Sequence, residues 1–204
     1  MIAIVDYGLG NLFSLKSSLD FIGLDTIITN DKSEIKKAKS IILPGVGAFR
    51  DAIGKLKEKE LDNVIIDEVK NGKILLGICL GMQLLFEKSY EYGEYSGLGL
   101  IKGDISPIKN DLQNKNLKVP HMGWNNLKFK ENDEILKYIK EDEYVYYVHS
   151  YYAKNCEKSI LAYSDYEVSI PGIVKNENVY GIQFHPEKSG ETGLNILKAF
   201  GELI

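Results

Sequence analysis

The stretch MIAIVDYGLGNLFSLKSSLDFIGLDTIITNDKSEIKKAKSIILPGVG, residues 1–47, holds three short apolar runs at 2–5, 26–29 and 40–43, separated by two segments of helical character. The runs are rich in β-formers and apolar on both faces, as strands inside a parallel sheet must be. Residues 11–22 read as a helix closed by Gly23 at its C′ position, and 31–37 as a short helix opened by an Asp31-x-x-Glu34 cap. Downstream, 48–70 carries two further helices and 73–78 a fourth apolar strand. The order βαβα predicts an α/β fold built on a doubly wound sheet. Such sheets place their sites at the carboxyl ends of the strands. Here those ends open into 6–10, 44–47 and the segment after residue 78, so three glycine-containing loops converge on one edge.

The fourth strand runs into Gly77-Ile-Cys79-Leu-Gly81, within KILLGICLGMQLLFE at 73–87. A Gly-x-nucleophile-x-Gly turn lets a strained strand-to-helix corner project its central side chain, with the glycines relieving crowding. Cys79 would then stand at a helix N-terminus, where unpaired N–H groups and the helix dipole favour thiolate. The plainer reading makes Cys79 a small buried hydrophobe.

Length and charge narrow the setting. The 204 residues suit one domain, 1–204, and the net charge of −4 with interspersed Lys and Glu leaves no basic stripe to follow a phosphate backbone. Nucleic acid is therefore not an expected partner. Residues 1–5 lead into Asp6 without a basic n-region, and no apolar run approaches the ~20 residues that span a bilayer. A cytoplasmic protein with no membrane contact is expected. Two cysteines, Cys79 and Cys156, make no disulfide framework, and the three histidines lack zinc-type spacing with them. No metal or cofactor is expected.

Strand signals crowd the second half at 97–101, 119–121, 144–148, 159–163, 168–174 and 179–184, extending the sheet or layering over it. Residues 189–203 read as a closing helix and 111–118 as a flexible loop. A cysteine nucleophile needs a base, and His121, His149 and His185 are the candidates. His185 follows a strand and precedes Pro186-Glu187. If the chain stays extended, residues i and i+2 share a side, bringing the Glu187 carboxylate to the imidazole as the acid of a triad. A surface His-Pro-Glu turn is the alternative. An oxyanion would find donors in the Leu80 N–H and the loop 44–47.

Gly77-Ile-Cys-Leu-Gly-Met-Gln83 with Gln183-Phe-His-Pro-Glu187 resembles the class I glutamine amidotransferases. Asp6-Tyr-Gly-Leu-Gly-Asn11, Leu43-Pro-Gly-Val-Gly-Ala-Phe49, Pro120-His-Met-Gly-Trp-Asn125 and Val148-His-Ser-Tyr-Tyr152 are similar to segments of the glutaminase subunits of imidazole glycerol phosphate synthases. The resemblance spans the chain. It implies a flavodoxin-like amidotransferase fold with a mostly parallel central sheet and a smaller strand-rich layer. It implies that Cys79 attacks the glutamine side-chain amide, that His185 protonates departing ammonia and then activates water, and that Glu187 orients His185. Gly47 and Leu80 match the oxyanion region, and Gln83, His149, Ser150 and Tyr151 match positions around bound glutamine. Asn11, Trp124, Tyr146 and Lys188 match interface or gating positions toward a cyclase subunit, a (β/α)₈ barrel that consumes the ammonia in a heterodimer. Plainer roles for these residues are a helix face for Gln83 and core packing for Trp124 and the tyrosines. Family members also tend to hold the oxyanion loop unproductive until the partner's ligand binds, so 44–47 is expected misaligned in the isolated chain.

Two departures stand out: Lys102 where relatives often carry proline, and Ile170-Pro-Gly172 interrupting a strand, which suggests an edge or a bulge. Three other functions compete. They are a binding module with a dead triad, a stand-alone thiol hydrolase acting on glutamyl peptides, and a paralogous glutaminase supplying ammonia for amidine formation on a surface sugar.

Overall fold

The computed structural model describes residues 1–114 and 116–204. Lys115, within the loop expected at 111–118, lies outside the described residues. The first half follows the expected alternation: β1 Ile2–Val5, α1 Leu12–Phe21, β2 Thr26–Thr29, α2 Lys32–Lys37, β3 Ser40–Gly45, α3 Phe49–Glu58, α4 Leu61–Lys70 and β4 Ile74–Cys79. Asp31 caps α2, accepting from the N–H groups of Ser33 and Glu34. Glu60, at φ +53°, breaks α3 from α4. Then come α5 Leu80–Leu84, β5 Phe86–Ser89, β6 Tyr95–Ser96, β7 Ile101–Pro107, β8 His121–Asn126, β9 Lys128–Phe129 and β10 Tyr144–His149. The chain ends with β11 Tyr151–Lys154, β12 Ile160–Tyr166, β13 Val168–Asn176, β14 Val179–Ile182 and α6 Gly190–Gly201.

Eight strands form the central sheet in the order β2-β1-β3-β4-β14-β13-β12-β9. The first five run parallel and the remainder antiparallel. Their side chains alternate between two cores, as a period of two requires. Ala3, Val5, Ile41 and Leu43 pack with Ile35, Leu56, Leu61 and Ile65 of α2, α3 and α4. Ile2, Ile4, Ile42 and Leu76 pack on the other face with Leu15 and Leu19 of α1 and Ile196 and Phe200 of α6. Full burial of each large apolar side chain contributes roughly 1.5–3 kcal/mol, which is why apolar runs in this half read so directly as strands. Smaller sheets, β10-β8 and β11-β7-β5-β6, form the strand-rich layer. No helix among the described residues is long and apolar enough to cross a membrane.

Two expectations need correction, and of the edge or bulge expected at 170–172 the bulge is found. Residues 97–100 are not a strand: Gly99 turns at φ +66°, and the N–H groups of Leu98 and Leu100 return to the carbonyls of Leu84 and Leu85, so pairing begins only at Ile101. The strand expected at 119–121 starts where that segment ends, at His121. Pro171 lies on β13, an interior strand and not an edge. It is accommodated by a bulge, because Ala162 pairs with Ile173 and Tyr163 with Pro171, skipping Gly172.

Candidate active site

β4 carries Cys79 to the carboxyl edge, where Gly45 of β3 stands beside it in register; on the other side Ile78 pairs with Ile182 of β14. Cys79 has φ +55° and ψ −113°, a strained conformation for a non-glycine residue, and α5 starts at the next residue. The corner is as tight as the two glycines suggest. A Cβ on Gly77 would lie 2.7 Å from the Gly81 oxygen, and one on Gly81 would lie 1.8 Å from the Leu43 oxygen. Cys79 faces a cavity of about 370 Å³ whose wall also includes His185.

β14 lies next to β4, so the chain leaving it reaches the same edge, and the His185 N–H donates to the Tyr146 oxygen at 2.9 Å. His185 Nδ1 is 2.9 Å from Glu187 Oε1, both side chains being almost wholly buried. The contact arises differently from the extended chain expected: Pro186–Lys188 form a 3₁₀ turn that swings Glu187 back to the imidazole. With Nδ1 engaged by Glu187, Nε2 is the nitrogen left for Cys79, which shares the cavity wall with His185. Burial opposes charge on His185, but the nearness of Cys79 and Glu187 outweighs it. They hold the imidazole up at about 10 against an ordinary 6.5. The site therefore keeps a cationic ring beside the sulfur at neutral pH.

The cavity wall collects most of the other sequence-derived candidates: Gly47, Leu80, Gln83, His149, Ser150 and Tyr151. Gly47, at φ +94°, ends the loop that passes the elbow. Gln83 is buried, and its amide nitrogen donates to the Tyr151 oxygen and to Gln183 Oε1, both at 3.0 Å. Its nitrogen is thus spent within the protein, leaving Oε1 for other partners. The remaining four candidates lie outside this cavity. Asn11 borders a small separate cavity with Pro44, His185 and Glu187. Trp124 and Tyr146 pair across β8 and β10 with ring centroids 6.0 Å apart, and Trp124 is 56 % exposed, against the core reading of a lone tryptophan. Lys188 is exposed on the turn that carries Glu187.

Several supporting residues escaped the reading of the sequence. Ser189 Oγ donates to the His185 oxygen at 2.6 Å and accepts from the Tyr146 N–H at 3.0 Å, which fastens the backbone of the histidine turn. Glu91 lines the cavity and accepts from the Phe49 N–H at 2.6 Å, tying the start of α3 to the loop before β6. Burial pushes its carboxyl upward, the Phe49 hydrogen bond pulls it down, and the charge of Asp51 adds to the rise. Tyr7 is fully buried, and its hydroxyl donates to the Pro44 oxygen at 2.9 Å beneath the elbow. Only Tyr7 had a local signal, its place in the glycine-rich 6–10 loop.

The family description "Glutamine amidotransferase class-I" matches residues 3–202. A relative from Caldanaerobacter subterraneus subsp. tengcongensis, imidazole glycerol phosphate synthase subunit HisH, is 50 % identical over 100 % of this chain and 98 % of its own. The protein of the same name from Oceanobacillus iheyensis is 49 % identical, with 100 % of both chains covered. Among solved structures, a glutamine amidotransferase superposes with a TM-score of 0.76 at 17 % identity, covering 100 % of this chain and 99 % of the other. PurLQS from Thermotoga maritima superposes at 0.74 and 21 %, covering 100 % and 98 %. At those identities the superpositions speak to fold alone.

Proposed function

The chain belongs to the class-I glutamine amidotransferase family, and we propose that it is the glutaminase subunit of an imidazole glycerol phosphate synthase. It hydrolyses glutamine to glutamate and ammonia and passes the ammonia to a cyclase subunit. One observation carries the reading: a cysteine at a strained elbow and a histidine bonded to a buried carboxylate stand together on the wall of one cavity. Near-50 % identity to HisH subunits supports the histidine-biosynthetic role over the amidine-forming route.

The Cys79 sulfur attacks the carboxamide carbon of glutamine while the Leu80 N–H and the loop ending at Gly47 face the developing oxyanion. His185 gives its Nε2 proton to the departing nitrogen as the C–N bond breaks, leaving a γ-glutamyl thioester and neutral ammonia. The now neutral ring takes a proton from water, whose oxygen attacks the thioester carbon. Glutamate leaves and the starting Cys79 and His185 pair is restored. Glu187 holds the ring so that Nδ1 carries its proton throughout. Ammonia released into water would be protonated and no longer nucleophilic, so its consumer must dock directly. The reading assigns a cytoplasmic heterodimer with a (β/α)₈-barrel cyclase and gives Trp124, Tyr146, Asn11 and Lys188 to the contact or gate. Exposed Trp124 has the character of an interface anchor.

Glutamate release should be slow for the chain alone and rise sharply when the cyclase and its nucleotide ligand are added. Turnover that neither addition changes would overturn the coupled-subunit reading. Glu187→Gln should lower kcat by roughly 10²–10⁴-fold, because an amide N–H turned toward Nδ1 favours the wrong tautomer. A kcat within twofold of wild type would remove Glu187 from the triad.

A further inference from the structure

His121 is the one histidine of the three that neither joins the triad nor lines the cavity, yet it is 3 % exposed and cross-strand from His149. Its Nδ1 lies 3.0 Å from His149 Nε2, and His149 Nδ1 lies 2.8 Å from the Tyr151 oxygen. A carbonyl only accepts, so His149 carries its proton on Nδ1 and offers a lone pair at Nε2. His121 must then donate from Nδ1, leaving its own Nε2 as an acceptor, 3.3 Å from Asn125 Nδ2. The Asn125 amide is itself oriented from two sides. Its Oδ1 accepts from the Asn126 N–H at 2.9 Å, and Nδ2 donates to the Asp165 oxygen at 3.0 Å. The chain Asn125 to His121 to His149 to Tyr151 thus runs one way, fixed at both ends.

A second proton on His149 would set N–H against N–H at the histidine pair, and one on His121 would do so against Asn125. Burial acts in the same sense, pushing His149 down to about 3 and His121 to about 4. The His121 ring is also clamped, stacked on Tyr147 at 4.7 Å and on Tyr166 at 4.1 Å between centroids. The far end of the chain is the turn 149–151, all three residues of which line the glutamine cavity. The Tyr151 oxygen receives Gln83 as well as His149, so the chain meets the cavity wall at a shared acceptor.

We propose that His121 is a positioning residue for glutamine, setting the tautomer and orientation of His149 and through it the turn 149–151. The proposal rests on reading this cavity as the glutamine site. Losing the donor at His121 frees the His149 ring to turn over and release the Tyr151 carbonyl. Cys79 and His185 keep their own contacts, so the effect falls on binding and not on the chemical step.

His121→Phe keeps a ring between the two tyrosines but removes the donor, whereas His121→Asn restores an N–H near the Nδ1 position. In the complex with the cyclase, the Phe variant should raise the KM for glutamine about 10-fold with kcat little changed, and the Asn variant should recover most of it. Two-bond ¹H–¹⁵N spectra of the wild type should show His121 and His149 both neutral with the proton on Nδ1, a signature that a packing role would not require. A charged ring or an Nε2–H tautomer at neutral pH would overturn the proposal, including where the Phe variant fails to fold. So would an unchanged KM, or a loss confined to kcat. A wild-type complex that turns over no glutamine would overturn the glutaminase reading and this one together. Normal wild-type turnover with an unshifted Phe variant overturns this one alone.

Discussion

Cys79→Ala should reduce glutamine hydrolysis by on the order of 10⁴–10⁶-fold while leaving a folded protein, because the sulfur is the only atom able to form the thioester. The substitution keeps an L-residue with a Cβ at φ +55°, so the backbone strain of the elbow is inherited unchanged. It removes one small atom from a side chain that borders a cavity, a modest packing loss. Glutamate release in the presence of the cyclase and its ligand measures the first claim. A variant retaining more than about 1 % of turnover would leave the thioester mechanism without its nucleophile.

The same substitution has a pH signature. Folded His185 is held up at about 10 against 6.5 for a free imidazole, so its charge contributes stability in full below pH 6.5 and loses it as pH rises through about 10. Removing Cys79 deletes one of the two neighbours that raise the ring, while burial and Glu187 remain. The folded value must fall, and the stabilisation is lost at lower pH. The stability that the variant loses through His185 should therefore be greatest at and below pH 6.5 and vanish as pH rises through about 10, a change read from denaturation midpoints across that range. Superimposable pH profiles would contradict the Cys79–His185 pairing.

The parallel half of the fold was legible because its signal is local. Residues 2–5, 40–43 and 75–78 are buried on both sheet faces, so nearly every side chain is apolar, and the edge where their loops converge follows from topology. Cys79 was legible for a related reason, since two glycines four residues apart at a strand-to-helix junction mark a corner too tight for larger side chains. The second half hid its arrangement in contacts distant along the chain. Nothing near β14 says that it inserts beside β4, yet that insertion brings His185 to the edge that bears Cys79. Glu91 reaches Phe49 across 42 residues, and Ser189 fastens Tyr146 across 43. These bonds are side chain to backbone, where the partner contributes only an N–H that every residue but proline owns, so no pattern of residue types records them. The bulge at Gly172 shows the opposite limit: proline announced an irregularity, but an edge and a bulge satisfy its missing N–H equally well.

Gly81→Ala should cost the protein more than about 4 kcal/mol, lowering Tm by roughly 10 °C or more, or prevent folding altogether. The cause is not conformational freedom, because Gly81 lies in α5 with no positive φ. It is contact: the added Cβ would sit 1.8 Å from the Leu43 oxygen, 2.7 Å from the Leu43 carbon and 3.1 Å from the Pro44 carbon. All three belong to the backbone of β3, which is bonded between β1 and β4 and cannot withdraw without breaking the sheet. Gly47→Ala is the matched control. Its Cβ would meet nothing within 4 Å, so only the strain of φ +94° remains, roughly 1–2 kcal/mol. Thermal melts of the two variants decide the matter, and a Gly81→Ala protein melting within about 3 °C of wild type would refute the close approach. The same approach seats the start of α5 against β3 and so fixes where the Leu80 N–H lies relative to the loop ending at Gly47. Any Gly81→Ala protein that still folds must do so by moving the helix away from the strand. Its thioester chemistry should then fail with Cys79, His185 and Glu187 all intact, because the oxyanion donors no longer share one position in space.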